Sequence, residues 1–414
     1  MPGGIGALAD RSIIVKSLRI CFVTQEYPME TGLGGIGTYT HEIARGLVKN
    51  GHRVVVLSRA MQQSSDQILD GVRVVRVLPK WSLNTIPLLY RLNKFWEGYR
   101  LSVALTLPKL IREERIDLVE VPGLHGEIVL NAMLGNLKVP YVVRMHSCIS
   151  KRLSMEGIKP GFTGHKSILA ERLMLRQAHG ISAPSKFIAQ ECRVYPSLDK
   201  KGVTVIPNPI DCERFCAANP ANAGQEYGVL FVGKLVKSKG AQLLPAIIQG
   251  VLSQQESTPF TIVGNIHDEF PGEKSTAKEW ILSKIPSKLH ERVRLVSWVD
   301  RDALLNYYQQ CQVVIIPTSY ESFGYTCLEA MACGKPVVAY GVGGINEILE
   351  YEESGVKVSP GRLDSFVDAV VAMLSDHSLR ERIGRCARKR VLEHYNTPLI
   401  VKRMIEFYNR QIAA

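Results

Sequence analysis

The sequence contains no uninterrupted apolar run that approaches the ~18 residues of a membrane-spanning helix. Its first residues, MPGGIGALADRSIIVKS, lack the long apolar segment of a secretory signal, and we expect a loose leader there. Low-complexity tracts and short repeats of fixed period are also absent. These absences argue against a helical membrane protein and a repeat protein, and they favour an ordinary globular chain.

The nine cysteines are odd in number and scattered, and none of them forms a C-x-x-C pair. Several lie in apolar runs. This pattern predicts small buried hydrophobic side chains in a reducing compartment, rather than disulfides or zinc ligands. It favours the cytoplasm.

The length and the charge distribution divide the chain in two. A chain of 414 residues exceeds the size of a single growing core, so we expect two domains. Residues 1–200 carry 27 Lys and Arg against 16 Asp and Glu, whereas residues 201–414 carry 24 against 23. The first half is therefore basic. It suits an anionic membrane surface, an acidic acceptor or a nucleic acid, unless the charge serves only solubility.

Residues 311–350 predict the unit of a parallel α/β sheet. Apolar strands are expected at 313–316 and 337–340, each followed by a loop and a helix. Ligands of such sheets bind at the carboxyl ends of the strands, where these loops lie.

Two glutamates bracket the first of these loops and its helix. Glu321 lies in the loop, and Glu329 follows eight residues later. Between them, the amides of Phe323, Gly324 and Tyr325 would lie at a helix N-terminus, which attracts phosphate. Acceptor side chains on both sides of an anion site suit a nucleotide-diphosphate sugar. The alternative is that both glutamates are solvated residues at helix termini.

The string E-S-F-G-x-x-x-L-E-A-M-A-x-G-x-P-V-V, which begins at Glu321, resembles the signature of the retaining glycosyltransferases of family 4. The resemblance implies that Glu321 contacts hydroxyls of the donor sugar and that Glu329 contacts the ribose diol.

The loop after the first predicted strand is rich in glycine. Residues 32–37 fit G-x-G-x-x-G, the dinucleotide-binding pattern. However, the loop is too long for that turn, and Ser58 occupies the second strand end where an acidic residue would hold ribose. Pro28 and the glycines resemble instead the N-terminal loop of the same glycosyltransferase family. The resemblance implies that Gly34 and Gly35 approach the donor diphosphate.

A basic and aromatic helix is expected over residues 89–114. Its side chains recur at near-helical spacing, which is typical either of an interfacial membrane helix or of a helix whose aromatics face the core. The residues concerned are Tyr90, Arg91, Lys94, Phe95, Trp96, Tyr99 and Arg100.

His146 follows a predicted strand over residues 141–144, at the edge where α/β sheets place functional groups. A lone histidine is more often structural. The run V-V-R-M-H-S resembles the family, in which this histidine faces the donor sugar. Residues 151–165 are predicted to form a basic connection, for which we expect a role in acceptor binding.

The run I-P-N-P-I-D at residues 206–211 resembles the hinge between the two domains of the family. The next motif, F-V-G-K-L-V-K-S-K-G at residues 231–240, is not a Walker A loop. It resembles the family's diphosphate-binding loop and implies that role for Lys234 and Lys239. Lys234 replaces the usual arginine, which keeps the charge and loses bidentate geometry.

These resemblances imply a GT-B fold, in which two Rossmann-like domains face each other across a cleft. Residues 1–208 would bind the acceptor and residues 209–397 the nucleotide-sugar donor, with helix 398–414 packing back on the first domain. The reaction would be hexosyl transfer to a hydroxyl with retention of configuration. No D-x-D pair occurs in a convincing loop, so we expect no metal and no cofactor beyond the donor, which lysines would neutralise.

Other functions stay open at this point. A GT-B epimerase would need acid and base carboxylates at the anomeric carbon, and a basic membrane-binding or nucleic-acid-binding protein could keep the fold without catalysis. A nicotinamide dehydrogenase is disfavoured by the missing ribose acid. UDP-sugars are the commoner donors of the family, followed by GDP-mannose. The acceptor is left open among lipid-linked, saccharide and small-molecule classes, and we expect no nucleic-acid partner.

Overall fold

The computed structural model describes residues 17–28, 30, 34–79, 94–155, 159–195, 198, 201–217 and 227–414. Within these residues the chain forms two α/β domains, each built on a mainly parallel sheet with helices on both faces. The predicted fold class, a pair of Rossmann-like domains, is confirmed.

The first domain contains, in chain order, β1 (Arg19–Val23), α1 (Gly35–Lys49), β2 (Arg53–Arg59), β3 (Ser65–Leu69), β4 (Val72–Val77), α2 (Lys94–Glu113), β5 (Leu118–Pro122), α3 (Val129–Leu134), β6 (Tyr141–Arg144), α4 (Ile149–Met155), α5 (Phe162–Gln177), β7 (Gly180–Ala183), α6 (Lys186–Glu191) and β8 (Thr204–Val205). Among the described residues its strands lie in the order β3-β4-β2-β1-β5-β6-β7-β8. β3 pairs antiparallel with β4, and the other neighbours are parallel.

The second domain contains β9 (Val229–Val232), α7 (Leu244–Leu252), β10 (Phe260–Val263), α8 (Ala277–Ser283), β11 (Val293–Val296), α9 (Arg301–Gln310), β12 (Val313–Ile316), α10 (Tyr325–Ala332), β13 (Val337–Tyr340), α11 (Ile345–Ile348), β14 (Val356–Val358), α12 (Leu363–Ser375) and α13 (His377–His394), and the chain ends in α14 (Thr397–Ala413). Its described strands are all parallel, in the order β11-β10-β9-β12-β13-β14.

Each sheet is buried on both faces. In β1, Ile20 and Phe22 lie in one apolar cluster and Cys21 and Val23 lie in the opposite one. The strands of the second sheet alternate in the same way between two clusters. Burial on both faces explains why the strands appear in the sequence as continuous apolar runs.

The last helix returns to the first domain. Ile400, Met404 and Phe407 of α14 are buried in the cluster that also contains Ile43 and Leu47 of α1. Just before α14, the Tyr395 carbonyl accepts a hydrogen bond from the Ile210 amide at 3.0 Å, and the Thr397 amide donates to the Ile210 carbonyl at 3.1 Å. The two segments that cross between the domains are therefore hydrogen-bonded to each other.

The strand order reverses once in each sheet, between β1 and β5 and between β9 and β12. Loops on either side of such a reversal diverge and leave a crevice at the carboxyl ends of the strands, where ligands bind. The loops after β1, β9 and β12 carry most of the residues singled out in the sequence.

Three local expectations need correction. The predicted glycine-rich loop ends early, because helix α1 begins at Gly35 and the second half of the glycine motif forms its first turn. Both ends of the predicted connection 151–165 are helical, since α4 ends at Met155 and α5 begins at Phe162. Tyr99 and Arg100 are buried, so these two side chains of the basic helix face the core rather than a membrane. Tyr90, Arg91 and the side chains of Lys94, Phe95 and Trp96 lie outside the described residues.

Candidate functional site in the interdomain cleft

The loops after β9 and β12 are fixed against each other by short contacts. Gly240 has φ +78°, and a Cβ at this position would lie 1.9 Å from the Pro317 carbonyl oxygen. The Ser238 carbonyl accepts hydrogen bonds from the Thr318 hydroxyl at 2.7 Å and from the Ser319 amide at 3.0 Å. Only glycine permits so close an approach, so the motif positions both loops together.

This arrangement brings Lys239 and Glu321 into contact. The Lys239 ammonium lies 2.5 Å from Glu321 Oε2, and both side chains are partly exposed. The Phe323 amide donates to Glu321 Oε1 at 3.4 Å, and the Gly344 amide donates to the Glu321 carbonyl at 2.9 Å. A cation and a carboxylate therefore lie side by side at the reversal of the second sheet.

Helix α10 begins directly after this pair. Gly324 is its N-cap with φ +114°, a conformation that side chains rarely adopt, and no described side chain caps the helix. The first amides of α10, which start at Tyr325, form the positive end of the helix dipole. This end of the helix follows the loop in which Glu321 contacts Lys239.

Glu329 lies in a second, more buried cluster. Its carboxylate accepts a hydrogen bond from the Tyr308 hydroxyl at 2.9 Å and faces the Arg301 guanidinium at 3.4 Å. Arg301 also donates to Glu42 of α1 at 2.8 Å, so this guanidinium joins the two domains. Burial raises the pKa of Glu329, which the charge of Arg301 opposes.

Neither Arg301 nor Glu42 was predicted from the sequence. Arg301 follows a strand end and opens α9, which is a position where functional side chains occur, but nothing in the sequence indicates its partners.

The glycine loop of the first domain lies against a half-buried acid, Glu26. A Cβ on Gly34 would lie 2.3 Å from Glu26 Oε2, whereas a Cβ on Gly35 would meet nothing within 4 Å. Burial raises the pKa of Glu26, and the Gly37 amide and the charge of Lys234 oppose this. The Lys234 charge, on the loop after β9, is therefore near enough to Glu26 to favour its ionised form.

His146 lies at the end of β6 in a buried position. Its ring packs edge-on against Tyr39 with a centroid distance of 5.2 Å. Burial, together with the charge of Arg144, lowers the pKa of His146 to about 3. The imidazole is therefore neutral at physiological pH, and it can serve as a hydrogen-bonding group rather than as a cation.

The surroundings of His146 include residues of α1, of the hinge segment and of the returning helix α14. Tyr39 and Tyr408 each donate to Glu120, both at 2.7 Å. The Arg144 guanidinium stacks over Tyr39 at 4.6 Å and donates to the Asn208 side chain at 2.8 Å. The Glu120 carboxylate on β5 thus accepts hydrogen bonds from both α1 and α14.

A second group of contacts joins the domains at the β7 end of the cleft. The amides of Lys186 and Phe187, which open α6, each donate to the Glu347 carboxylate at 2.9 Å. The Ser185 hydroxyl donates to the Ser322 carbonyl at 2.8 Å. The residue after Glu321 is therefore held by the first domain.

The predicted residues thus form two groups. Lys239, Glu321 and the first amides of α10 lie together, and Lys234, Gly34 and Gly35 lie on loops that face each other. Glu329 is hydrogen-bonded elsewhere, and His146 lies on the first sheet. Within the described ranges, no group of three or more His, Cys, Asp or Glu side chains could hold a metal ion.

No helix in the described part of the chain is long and apolar enough to cross a membrane.

Comparison with protein families gives two adjoining matches. Residues 33–214 match the family described as Glycosyltransferase Family 4, and residues 217–390 match Glycosyl transferases group 1. The boundary between the two matches falls next to the segment that crosses between the domains.

Two relatives cover most of the sequence. An uncharacterized glycosyltransferase of Methanocaldococcus jannaschii is 29% identical over 94% of this chain and 98% of its own length. The glycogen synthase of Mycobacterium tuberculosis is 26% identical, with 94% of each chain covered.

Solved structures share the whole architecture. Sucrose-phosphate synthase from Thermosynechococcus elongatus has a TM-score of 0.76 at 22% identity, covering 96% of this chain and 99% of its own. Anabaena HepE in complex with UDP-glucose has a TM-score of 0.68 at 19% identity, covering 95% and 100%.

Proposed function

The chain belongs to the GT-B glycosyltransferases of family 4, and we propose that it transfers a hexose from a nucleotide-diphosphate sugar to an acceptor hydroxyl with retention of configuration. The observation that carries this proposal is the contact between Lys239 and Glu321 at the N-terminus of α10. It sets a cation, helix amides and a carboxylate within reach of one diphosphate-linked sugar.

The diphosphate has complementary groups on both sides of the proposed site. Lys239 and the amides of Gly324 and Tyr325 lie on the second domain, and Lys234 faces the glycine loop of the first. Cations and helix N-termini stabilise the negative charge that develops as the diphosphate leaves. We propose that these groups act without a metal ion, and a rate abolished by a chelator and restored by a divalent cation would refute this.

The sugar would bind beside Glu321, whose carboxylate accepts hydrogen bonds from its hydroxyls. Neutral His146 would position the sugar from the first domain. Since Glu321 is assigned to hydroxyls rather than to the anomeric carbon, we favour departure and attack on the same face. The bond from the anomeric carbon to the diphosphate breaks, the acceptor oxygen forms the new bond, and its proton passes to the departing diphosphate.

The ribose diol is assigned to Glu329. Its carboxylate accepts from Tyr308 and faces Arg301, and a ribose hydroxyl would replace the Tyr308 hydroxyl while Arg301 keeps its charge beside Glu329. One neutral hydroxyl can substitute for another, because each donates a single hydrogen bond to the carboxylate.

The donor is proposed to be a UDP-sugar, with GDP-mannose as the second choice. Support comes from HepE, which was solved with UDP-glucose, and from the family in general.

The first domain, divided from the second at residues 208 and 209, would bind the acceptor. We propose an anionic membrane surface as its other partner and the inner face of the cytoplasmic membrane as its location, with no role for nucleic acid.

Two other functions make different predictions. A GT-B epimerase would release a free sugar without any acceptor. A non-catalytic protein that binds acidic surfaces would keep all its function in Glu321→Ala.

A thermal-shift panel of UDP-, GDP- and ADP-sugars tests the proposal. One nucleotide class should raise Tm, because a ligand at 100 times its Kd stabilises by about 2.7 kcal/mol. The shift should disappear in Glu329→Ala. If no sugar nucleotide raises Tm, or if the mutant keeps the full shift, the proposed donor site is wrong.

A further inference from the structure

The outer helices of the first domain expose an unusual amount of apolar surface. Leu105 of α2 is 56% exposed, Met133 and Leu134 of α3 are 62% and 71% exposed, and Phe162 and Leu169 of α5 are 67% and 57% exposed. Single exposed leucines are normal, but a concentration of five large apolar side chains on neighbouring helices is typical of an interaction surface.

These helices form one layer. Asn131 of α3 donates to the Ala104 carbonyl of α2 at 3.2 Å, next to Leu105. The turn that precedes α3 is packed on α5, because a Cβ on Gly126 would lie 2.7 Å from Ala170. Since Ala170 follows Leu169, the exposed side chains of the three helices belong to a continuous surface. We name this surface, the exposed side chains of α2, α3 and α5, the outer face.

The outer face is basic as well as apolar. Five of the exposed residues of α5 form a helical stripe at intervals of three and four residues, namely Phe162, His165, Leu169, Arg172 and Arg176. In α2 the exposed Leu105, Lys109 and Arg112 repeat the same order, with apolar residues first and basic residues afterwards. Lys138, which follows α3, is exposed too.

Among the described side chains of this surface, negative charge is scarce. Glu113 of α2 is exposed and lies 3.7 Å from Lys109. Glu171, the acid of α5, is buried instead and hydrogen-bonded to Tyr195 and to the Ile149 amide at 3.3 Å. The exposed stripe of α5 therefore contains no carboxylate.

We propose that the outer face is the surface by which this protein docks on an anionic lipid bilayer, with Phe162 and Leu169 entering the headgroup region and the arginines of α5 contacting lipid phosphates. Apolar anchors beside cations are the combination that interfacial binding requires. A second copy of the chain fits less well, because symmetric pairing would bring like charges together.

The position of the outer face suits an acceptor held in the membrane. His146 lies shortly before α4, and the Ile149 amide of α4 donates to Glu171 of α5, the helix that begins at Phe162. In this respect the inference rests on the proposed function, since docking would bring the cleft to a lipid-linked acceptor. Binding to the membrane does not itself require catalysis.

Vesicle sedimentation of the full chain tests the proposal. We expect the protein to sediment with vesicles of phosphatidylcholine and phosphatidylglycerol in equal parts and to stay in solution with phosphatidylcholine alone. Phe162→Ser combined with Leu169→Ser, and separately Arg172→Gln combined with Arg176→Gln, should each weaken binding at least ~10-fold. High salt should weaken it as well.

Matched controls lie elsewhere on the molecule. Met61→Ser combined with Ile68→Ser removes equally exposed apolar side chains from another surface of the first domain. Arg385→Gln combined with Lys389→Gln removes two exposed cations from α13. Both controls should bind vesicles as the wild type does. All variants are at exposed positions, and an unchanged Tm verifies that they fold.

The proposal is overturned if the wild type ignores anionic vesicles, or if the outer-face variants bind them normally. A dimer in sedimentation equilibrium that Phe162→Ser and Leu169→Ser abolish would overturn it too, in favour of a second copy. The thermal shift with sugar nucleotides should persist in every outer-face variant. A protein that binds vesicles and no sugar nucleotide would contradict the proposed function and leave the docking surface intact.

Discussion

Arg301 is the side chain on which the buried acidic cluster depends. Its guanidinium faces Glu42 and Glu329, and all three side chains are nearly inaccessible to water. A buried carboxylate without a cation is expensive, whereas the complete group is close to neutral in net stabilisation. The cluster therefore contributes more to how the domains are joined than to overall stability.

We predict that Arg301→Ala lowers the free energy of unfolding by about 3–5 kcal/mol, because it leaves two buried carboxylates unpaired. Chemical denaturation measures this. Adding Glu329→Gln to the same variant should restore part of the loss, since one of the two charges is then removed. Equal stabilities of Arg301→Ala and the wild type would show that Arg301 does not stabilise the Glu42 and Glu329 carboxylates.

Glu171 gives the stability of the first domain a pH dependence. Burial raises the pKa of Glu171 to about 8, although hydrogen bonds from Tyr195 and the Ile149 amide act in the opposite direction. Between the unfolded pKa near 4.3 and this folded value, the folded state binds more protons than the unfolded chain. Raising the pH across this interval therefore destabilises the protein.

From pH 5 to pH 8 the free energy of unfolding of the wild type should fall more steeply than that of Glu171→Gln. The difference in slope should be at most about 1.4 kcal/mol per pH unit. Denaturation midpoints at several pH values compare the two proteins. Parallel pH profiles would mean that Glu171 does not hold a proton in the folded state.

Among the elements, α1 begins with two glycines in different surroundings, the N-cap Gly34 and the first helical residue Gly35. A methyl group on Gly34 would overlap the Glu26 carboxylate, so it must displace this half-buried side chain. Gly35 faces open space, which is where the proposed donor diphosphate would lie. Its missing side chain thus matters only when a ligand is bound.

We predict that Gly34→Ala lowers Tm and that Gly35→Ala leaves Tm unchanged while raising the donor KM ~10-fold, because the methyl group occupies ligand space. Thermal unfolding and initial-rate kinetics separate the two effects. Unchanged donor KM in Gly35→Ala would place the diphosphate away from this loop.

The elements themselves were largely predictable, because strands buried on both faces give apolar runs such as V-V-I-I, which forms β12. Boundaries near glycine were not. Gly35, Ile36 and Gly37 look like loop residues, yet they continue α1, since the tertiary contacts of α1 with α14 outweigh the low helix propensity of glycine. Helix α4 was missed for a related reason, as its seven residues have no strong apolar period.

At the scale of the whole molecule, sequence motifs indicated which loops meet but not how their side chains pair. The contact between Lys239 and Glu321 spans 82 residues, and the contact between Arg301 and Glu42 spans 259. Such pairs arise only when both sheets and the hinge are in place. The outer face was equally hidden, because its exposed residues come from three helices that are separate in the sequence.

We propose that groups from both domains hold one nucleotide-diphosphate sugar and that Lys239 neutralises the departing diphosphate. Lys237 is a matched control, because it is an exposed lysine in the same turn without a contact to Glu321.

The most direct test is kcat/KM for sugar transfer by Lys239→Ala and by Lys237→Ala, measured in the presence of a chelator. We predict a loss of ~10²–10³-fold for Lys239→Ala, as for the removal of one stabilising group from a transition state, and a rate near that of the wild type for Lys237→Ala. Equal rates in the two variants would contradict the account.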